Sequence, residues 1–162
     1  MELYFIRVMP SIKWSLGITS EDGHSIVIIP KGTTIPASIS FEVTTIVDGQ
    51  TNIGLDIRLG ERTNANENFP ISDLKLEYIE IAPKRVPRVK LTFWAFEHNV
   101  FKLWVCYKEG EKSTGVLITP TIGLSEQEIA DLQKAVAKMI EETPIQPIEG
   151  LNPGILPLPA KV

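Results

Sequence analysis

Residues 1–120 consist of short runs rich in Val, Ile, Thr and aromatic residues, and turn signals separate these runs at regular intervals. Runs of this kind are typical of β-strands, and regular short strands favour a sandwich or barrel over alternating βαβ units. The predicted strands are 15–21, 24–30, 39–46, 51–59, 73–80, 88–96, 100–107 and 114–119. We therefore expect a mainly β protein built as a two-layer antiparallel β-sandwich of about eight strands.

After residue 120 the apolar pattern changes to a helical period. The stretch "GLSEQEIADLQKAVAKMIEE" places apolar side chains on one helical stripe: Ile129, Leu132, Val136, Met139 and Ile140. Ser125 and Glu128 form an S-x-x-E capping box, which predicts one C-terminal α-helix over 124–143. Pro144 disfavours helix before itself, and the proline-rich tail of residues 144–162 is expected to be extended or disordered.

Charge and composition limit the classes of partner and compartment. The formal net charge is −4, which argues against a general nucleic-acid binder, because such proteins need a basic face. No run has the basic start of a signal peptide or the length of a membrane span. The one cysteine excludes an internal disulfide framework. We expect a cytoplasmic protein with no membrane span and no nucleic-acid partner.

Residues for catalysis or metal binding are sparse. His24 and His98 stand far apart with no other ligand spacing around them, and Cys106 has no activating neighbour in the sequence. No G-x-x-x-x-G-K-[ST] phosphate loop is present. Glu61 and Arg62 are expected to form a surface or partner-facing ion pair. The sequence predicts no enzyme, no catalytic residue, no metal site and no cofactor.

Several motifs occur in the order and spacing of a known family. They are Ser15-Leu16-Gly17-Ile18, the run "IPKGTTIP" at 29–36, Asp48-Gly49-Gln50 and Gly60-Glu61-Arg62, followed by "IAPKRVPRVKLTF" at 81–93 and "GLSEQEI" at 123–129. Over about residues 11–142 the chain resembles the peptide-binding β-domain of the 70-kDa heat-shock chaperones of the DnaK type. Single motifs such as Gly-Glu-Arg are weak, but their shared order makes the resemblance strong.

The resemblance implies a β-sandwich domain over residues 11–120 whose groove takes an extended hydrophobic peptide of a client protein. The implied pocket residues are Ile18, Val43, Ile53 and Leu55, although periodicity alone reads them equally well as core. An arch over the peptide would involve Glu21 and Ile46, and neighbouring contacts would come from Ser20, Thr44, Gln50 and Asn52. The family has an aromatic residue where Val43 stands and an apolar or small residue where Glu21 stands, so we expect a roomier pocket and a weaker arch.

The ends of the chain depart from the family. Residues 1–10 form a divergent N-terminal segment where the family has its linker and ATPase domain, so we expect a free-standing relative rather than an excised fragment. Peptide binding would then be independent of ATP within this chain, as in a holdase or an adaptor. The lid is predicted to stop at Pro144. The tail sequence "GILPLP", residues 154–159, is either disordered or occupies its own or a neighbour's groove.

The hairpin "LTFWAFEHNVFKLWVCY", residues 91–107, has two apolar faces. Strand alternation places Trp94, Phe96, Trp104 and Cys106 opposite the core side, where the family usually has polar residues. An exposed apolar face of this kind favours a partner site, although packing by "LYFIRV" or by the tail is the open alternative. The alternative function is a structural module that forms homo-oligomers through this face, or through its tail, and has lost peptide binding.

Overall fold

The structure is a computed structural model that describes residues 10–96, 99–107, 112–118, 125–128, 130, 131, 134, 138, 146, 147 and 153–161. The main strands are β1 (Leu16–Thr19), β2 (Ser25–Ile29), β3 (Ala37–Thr44), β4 (Ile53–Leu59), β5 (Phe69–Leu76), β6 (Arg88–Phe96), β7 (Val100–Tyr107) and β8 (Lys112–Ile118). The tail adds the short strands β9 (Gln146–Pro147) and β10 (Ile155–Pro157). A turn of 3-10 helix, Ala65–Glu67, precedes β5.

Within the described ranges these strands form two sheets. The first has the order β2-β1-β4-β5 and is antiparallel. The second has the order β10-β3-β6-β7-β8, and β9 also pairs with β3. β9 and β10 run parallel to β3, whereas the other pairs of this sheet are antiparallel. The predicted mainly β sandwich is confirmed, and its β3 edge carries strands from the tail.

The core lies between the sheets and follows the alternation of each strand. β4 shows this most clearly, because it buries every second residue: Ile53, Leu55, Ile57 and Leu59. The second sheet contributes the rings of Phe41 and Phe93, which stack with their centroids 5.9 Å apart. The strands therefore present one apolar face each, which is the pattern a sandwich needs.

The fifth strand differs from its prediction. It spans Phe69–Leu76 rather than 73–80, and part of the predicted turn at 64–70 belongs to it. Among the described strands, β5 lies at the edge of its sheet, and a proline such as Pro70 is tolerated at an edge because one side of an edge strand needs no ladder bonds. Tyr78 has a φ of 63°, a left-handed conformation that does not continue a strand. The prediction treated Pro70 as a strand breaker and was wrong here.

The predicted helix is present in its described part. Residues 126–128, 130, 131, 134 and 138 are helical, and the N–H of Glu128 donates to Ser125 Oγ at 3.2 Å. This bond is one half of the predicted capping box. The apolar stripe from Ile129 to Ile140 and the predicted helix end before Pro144 lie outside the described residues, as do residues 1–9 and His98.

Candidate functional site

The tail crosses back over the sandwich between the end of β3 and the start of β4. Residues 153–161, called the C-terminal segment below, place Ile155, Leu156 and Pro157 in parallel register with Glu42, Val43 and Thr44. Leu158 follows and is fully buried. The surface that holds this segment consists of residues 42–46 and 50–54, and we call it the groove.

The groove is lined from below by aliphatic side chains. Ile18, Val43, Ile53 and Leu55, which the resemblance implied as a pocket, all have 0% of their surface exposed. They lie in the same buried cluster as Leu158. The four are therefore covered while Leu158 is seated, and their role as a peptide pocket stays a prediction.

Gln50 shapes the loop between β3 and β4 and also reaches the C-terminal segment. Its Oε1 accepts from the N–H of Ile46 at 2.9 Å, and its Nε2 donates to the carbonyls of Asn52 at 2.7 Å and Leu158 at 3.0 Å. The side chain is 5% exposed, so these bonds satisfy polar atoms that water does not reach freely. A single side chain thus fixes the loop and holds the segment.

Backbone groups of the groove supply the other bonds to the C-terminal segment. The N–H of Leu158 donates to the carbonyl of Thr44 at 3.0 Å, and the N–H of Gly54 donates to the carbonyl of Pro159 at 2.9 Å. Asn52 Oδ1 accepts from the N–H of Lys161 at 2.8 Å. These contacts hold the main chain of the segment and demand little of its sequence, as in strand addition.

The turn between β1 and β2 carries Ser20 and Glu21. Ser20 Oγ donates to Asp22 Oδ1 and accepts from the N–H of His24 at 3.0 Å. The bond from Ser20, together with His24, lowers the pKa of Asp22 from 3.8 to about 2. Glu21 is exposed, and Ile46 is half-buried after β3. Their implied roles in an arch stay predictions.

The second face of the β6–β7 hairpin is less open than expected. Phe96 is 3% exposed, so the prediction that it belongs to an exposed face was wrong. Trp94 is half-buried and Trp104 is 38% exposed. Lys102 Nζ lies between their rings, 5.7 Å and 6.0 Å from the two centroids, a cation–π arrangement. Trp104 also lies against Gly115 of β8, where a Cβ would stand 3.2 Å from its ring.

Other features of the described residues offer no catalytic constellation. The described ranges contain no group of three or more His, Cys, Asp or Glu that could hold a metal ion, and no helix in them could cross a membrane. Glu61 accepts from the N–H of Ser15 at 3.1 Å, so it ties the loop after β4 to the start of β1. A cavity of about 480 Å³ beside Trp14, Leu59 and Phe69 lies at the opposite end of β4 from the groove.

Sequence reasoning missed one residue of the groove, Gly54, and one residue of β5 that contacts the C-terminal segment, Asp73. Gly54 acts through its backbone N–H and through its missing side chain, because a Cβ there would stand 3.1 Å from the Cβ of Lys161. The carboxylate of Asp73 forms an ion pair with the ammonium group of Lys161, with 3.2 Å between Nζ and Oδ2. A lone glycine within a strand is a signal for close backbone approach, so Gly54 was detectable in principle. Asp73 carried no such signal.

Known proteins similar to this chain are chaperones. A model of the Hsp70 protein family matches residues 2–146. A mitochondrial iron-sulfur cluster biogenesis chaperone of Saccharomyces cerevisiae is 34% identical over 118 residues, which are 73% of this chain and 18% of that protein. The chaperone protein DnaK of Metamycoplasma hominis is 32% identical over 133 residues, which are 82% of this chain and 22% of that protein. The chain therefore spans about a fifth of the length of the curated relatives it matches.

Proposed function

Because the chain belongs to the Hsp70 family, we propose that it binds extended apolar peptide segments of client proteins in the groove between β3 and β4. The observation that carries this proposal is the seating of residues 153–161, whose main chain bonds to Thr44, Gln50 and Gly54 while Leu158 is buried. A segment of another protein with a Leu in the same place would meet the same donors, acceptors and aliphatic surface.

The contacts of the C-terminal segment indicate how tightly the groove should bind a client peptide and how little this affinity should depend on the peptide's sequence. Most polar contacts go to main-chain atoms, which every sequence has, and the buried side chains of Leu156 and Leu158 supply the apolar contact, with Leu158 fully buried. Burying a Leu side chain contributes roughly 1.5–3 kcal/mol, so affinity for a short peptide should be moderate and should depend on one central residue. The proposed role is that of a holdase or adaptor.

Gly54 offers a test that leaves the core intact. The three atoms nearest to a Cβ at position 54 all belong to Lys161, so Gly54→Val fills the groove and not the sandwich interior. A fluorescein-labelled Leu-rich peptide should bind the full chain at micromolar concentration by fluorescence anisotropy. In the Leu158→Asp chain, whose own C-terminal segment has lost its buried contact, Gly54→Val should weaken that binding at least about tenfold.

A matched control is Lys90→Val, which introduces the same side chain at an exposed position of β6 and should leave binding unchanged. Ile53→Asp should abolish binding, but Ile53 is a core residue, so its circular dichroism melt must be recorded alongside. Peptide binding that Gly54→Val leaves untouched would show that the peptide does not use the groove.

Nucleotide should have no part in the binding step of this chain. All the groove contacts described above come from residues 42–54 and 73, so we propose that ATP leaves both the affinity and the off-rate of the peptide unchanged. The same anisotropy titration with and without ATP and magnesium measures this directly. The cytoplasmic location stays a prediction, since one similar chaperone is named as mitochondrial.

A second candidate function is self-association through the face of Trp94 and Trp104, as a module that no longer binds peptide. The 38% exposure of Trp104 favours it, since large aromatic side chains anchor many interfaces. Trp94→Asp with Trp104→Ser should then give a smaller species in light scattering without unfolding. An unchanged mass, or a loss of fold, would leave the face as an internal support for β7 and β8.

A further inference from the structure

The C-terminal segment enters the groove with one face only. Leu156 and Leu158 are buried, with 7% and 0% exposed, whereas Ile155 is 45% exposed. This alternation is that of a strand laid on a half-buried surface. The pairing of Leu156 with Val43 sets the register, so Leu158 and not a neighbouring residue is the one that reaches full burial.

Two prolines suit a segment that pairs along one side. Pro157 and Pro159 have no N–H, so neither leaves a donor unpaired on the side away from β3. Their fixed φ keeps the free segment close to its bound shape, which lowers the entropy lost on seating. Nearby N–H groups, those of Leu158 and Lys161, donate to Thr44 and to Asn52.

Lys161 anchors the C-terminal end of the segment. Its Nζ lies 3.2 Å from Asp73 Oδ2 and 3.4 Å from the carbonyl of Asp73. Both side chains are partly exposed, so the pair adds little affinity by itself. Together with the Asn52 bond it fixes where the segment ends in the groove, and all of these contacts lie within one chain.

From these contacts we propose that residues 153–161 are a resident, autoinhibitory ligand of the groove, which a client peptide must displace before it can bind. The inference rests on the proposed function, because a segment inhibits only a groove that takes peptides. Since the segment is attached to the chain, it competes at an effective concentration that dilution does not change. The apparent affinity for a client then falls in proportion to the fraction of chains whose groove is open.

The test compares three substitutions within the C-terminal segment of the full chain. Leu158→Asp removes the buried contact and should tighten binding of a labelled Leu-rich peptide at least about tenfold. Ile155→Asn introduces a polar side chain at an exposed position without setting a carboxylate opposite Glu42, and it should leave the affinity close to its wild-type value. Lys161→Glu sets a second carboxylate beside Asp73 and should tighten binding by a smaller factor, without touching the core.

A labelled peptide with the sequence of residues 153–161, PGILPLPAK, supplies the complementary measurement. It should bind the Leu158→Asp chain and should bind the wild-type chain more weakly by the same factor as the Leu-rich peptide. Equal affinities of wild type and Leu158→Asp for both peptides would overturn the autoinhibition and leave the proposed function standing. Failure of every variant to bind either peptide would overturn the proposed function itself.

Discussion

Gly60, which follows β4, shows how one residue constrains a loop. Its φ is 150°, a backbone conformation that residues with a side chain rarely adopt, and a Cβ there would overlap the amide group of Asn68. Asn68 is buried and uses that amide to bond the backbone of Arg62, with its Oδ1 accepting at 3.0 Å and its Nδ2 donating at 2.9 Å. The loop after β4 therefore has no room for a side chain at position 60.

Gly60→Ala should accordingly destabilise the protein more than Gly49→Ala. Gly49 has a φ of 75° but no atom within 4 Å of its Cβ position, so alanine there meets only the backbone cost of about 1–2 kcal/mol. Gly60→Ala combines the strained backbone with a clash against Asn68, so it should lower the free energy of unfolding by roughly 3 kcal/mol or more. Urea unfolding of both variants gives the comparison, and equal losses would contradict it.

Asp22 is the described carboxyl whose pKa is most clearly shifted, and the shift has a local cause. Ser20→Ala should raise the pKa of Asp22 from about 2 toward 3.8, because the largest contribution is the bond from Ser20 Oγ. Carboxyl NMR titration measures it, with Ser40→Ala on the other sheet as the control. A pKa that stays near 2 in Ser20→Ala would contradict this cause.

The same shift gives the sign of a pH effect. The folded pKa of Asp22 is depressed, so its contribution to stability is fully present above the ordinary value of 3.8. That contribution is lost as the pH falls from this value through about 2. Thermal melts between these pH values should show a smaller decrease for Ser20→Ala than for the wild type.

At the residue scale, the contacts expected between the groove and a client peptide stay predictions. The bonds from Gln50 and Asn52 to the C-terminal segment fall on positions that the family resemblance had marked for peptide contact. Phe96 was misjudged because strict alternation was carried to the last residue of β6, where the strand ends. Asp73 was not predictable, since its partner Lys161 lies 88 residues away in the sequence.

Among the elements, β10 depends most on a distant partner. It covers the edge of β3, which would otherwise present unpaired N–H and carbonyl groups beside an apolar groove. Strand edges of this kind promote association between chains. The segment therefore stabilises the sandwich while it fills the groove.

Deleting residues 144–162 should lower the melting temperature and open the groove together. Loss of the buried Leu158 contact costs roughly 1.5–3 kcal/mol, which is about 5–10 °C for a domain of this size. A saturating Leu-rich peptide should restore part of the decrease, because a ligand that binds the folded state stabilises it. Circular dichroism melts record both effects, and Ile155→Asn, which adds no charge opposite Glu42, should melt close to the wild type.

Truncated protein that melts at the wild-type temperature would show that the segment contributes no stability.

Sequence patterns could predict the strands β1–β8 because each strand alternates apolar and polar residues or ends at a clear turn. They could not give β9 and β10, because a proline-rich stretch has no such period. The partner of Leu158 in the chain, Gln50, lies 108 residues away.

For the whole molecule, the two sheets meet the requirements of a sandwich, and the end of β3 and the start of β4 form a groove on it. The chain belongs to the Hsp70 family, and its own residues 153–161 lie extended in this groove. We propose that the groove takes extended apolar segments and that residues 153–161 are the one it holds in the free chain.

Amide hydrogen exchange at Gly54 tests this claim most directly, because its N–H donates to the carbonyl of Pro159 in the seated segment. Exchange should be slow in the wild type, at least about tenfold faster in Leu158→Asp, and slow again when a Leu-rich peptide saturates that variant. Fast exchange in the wild type with protection by added peptide would contradict occupation by the segment. Equal exchange in all three samples would contradict the groove itself.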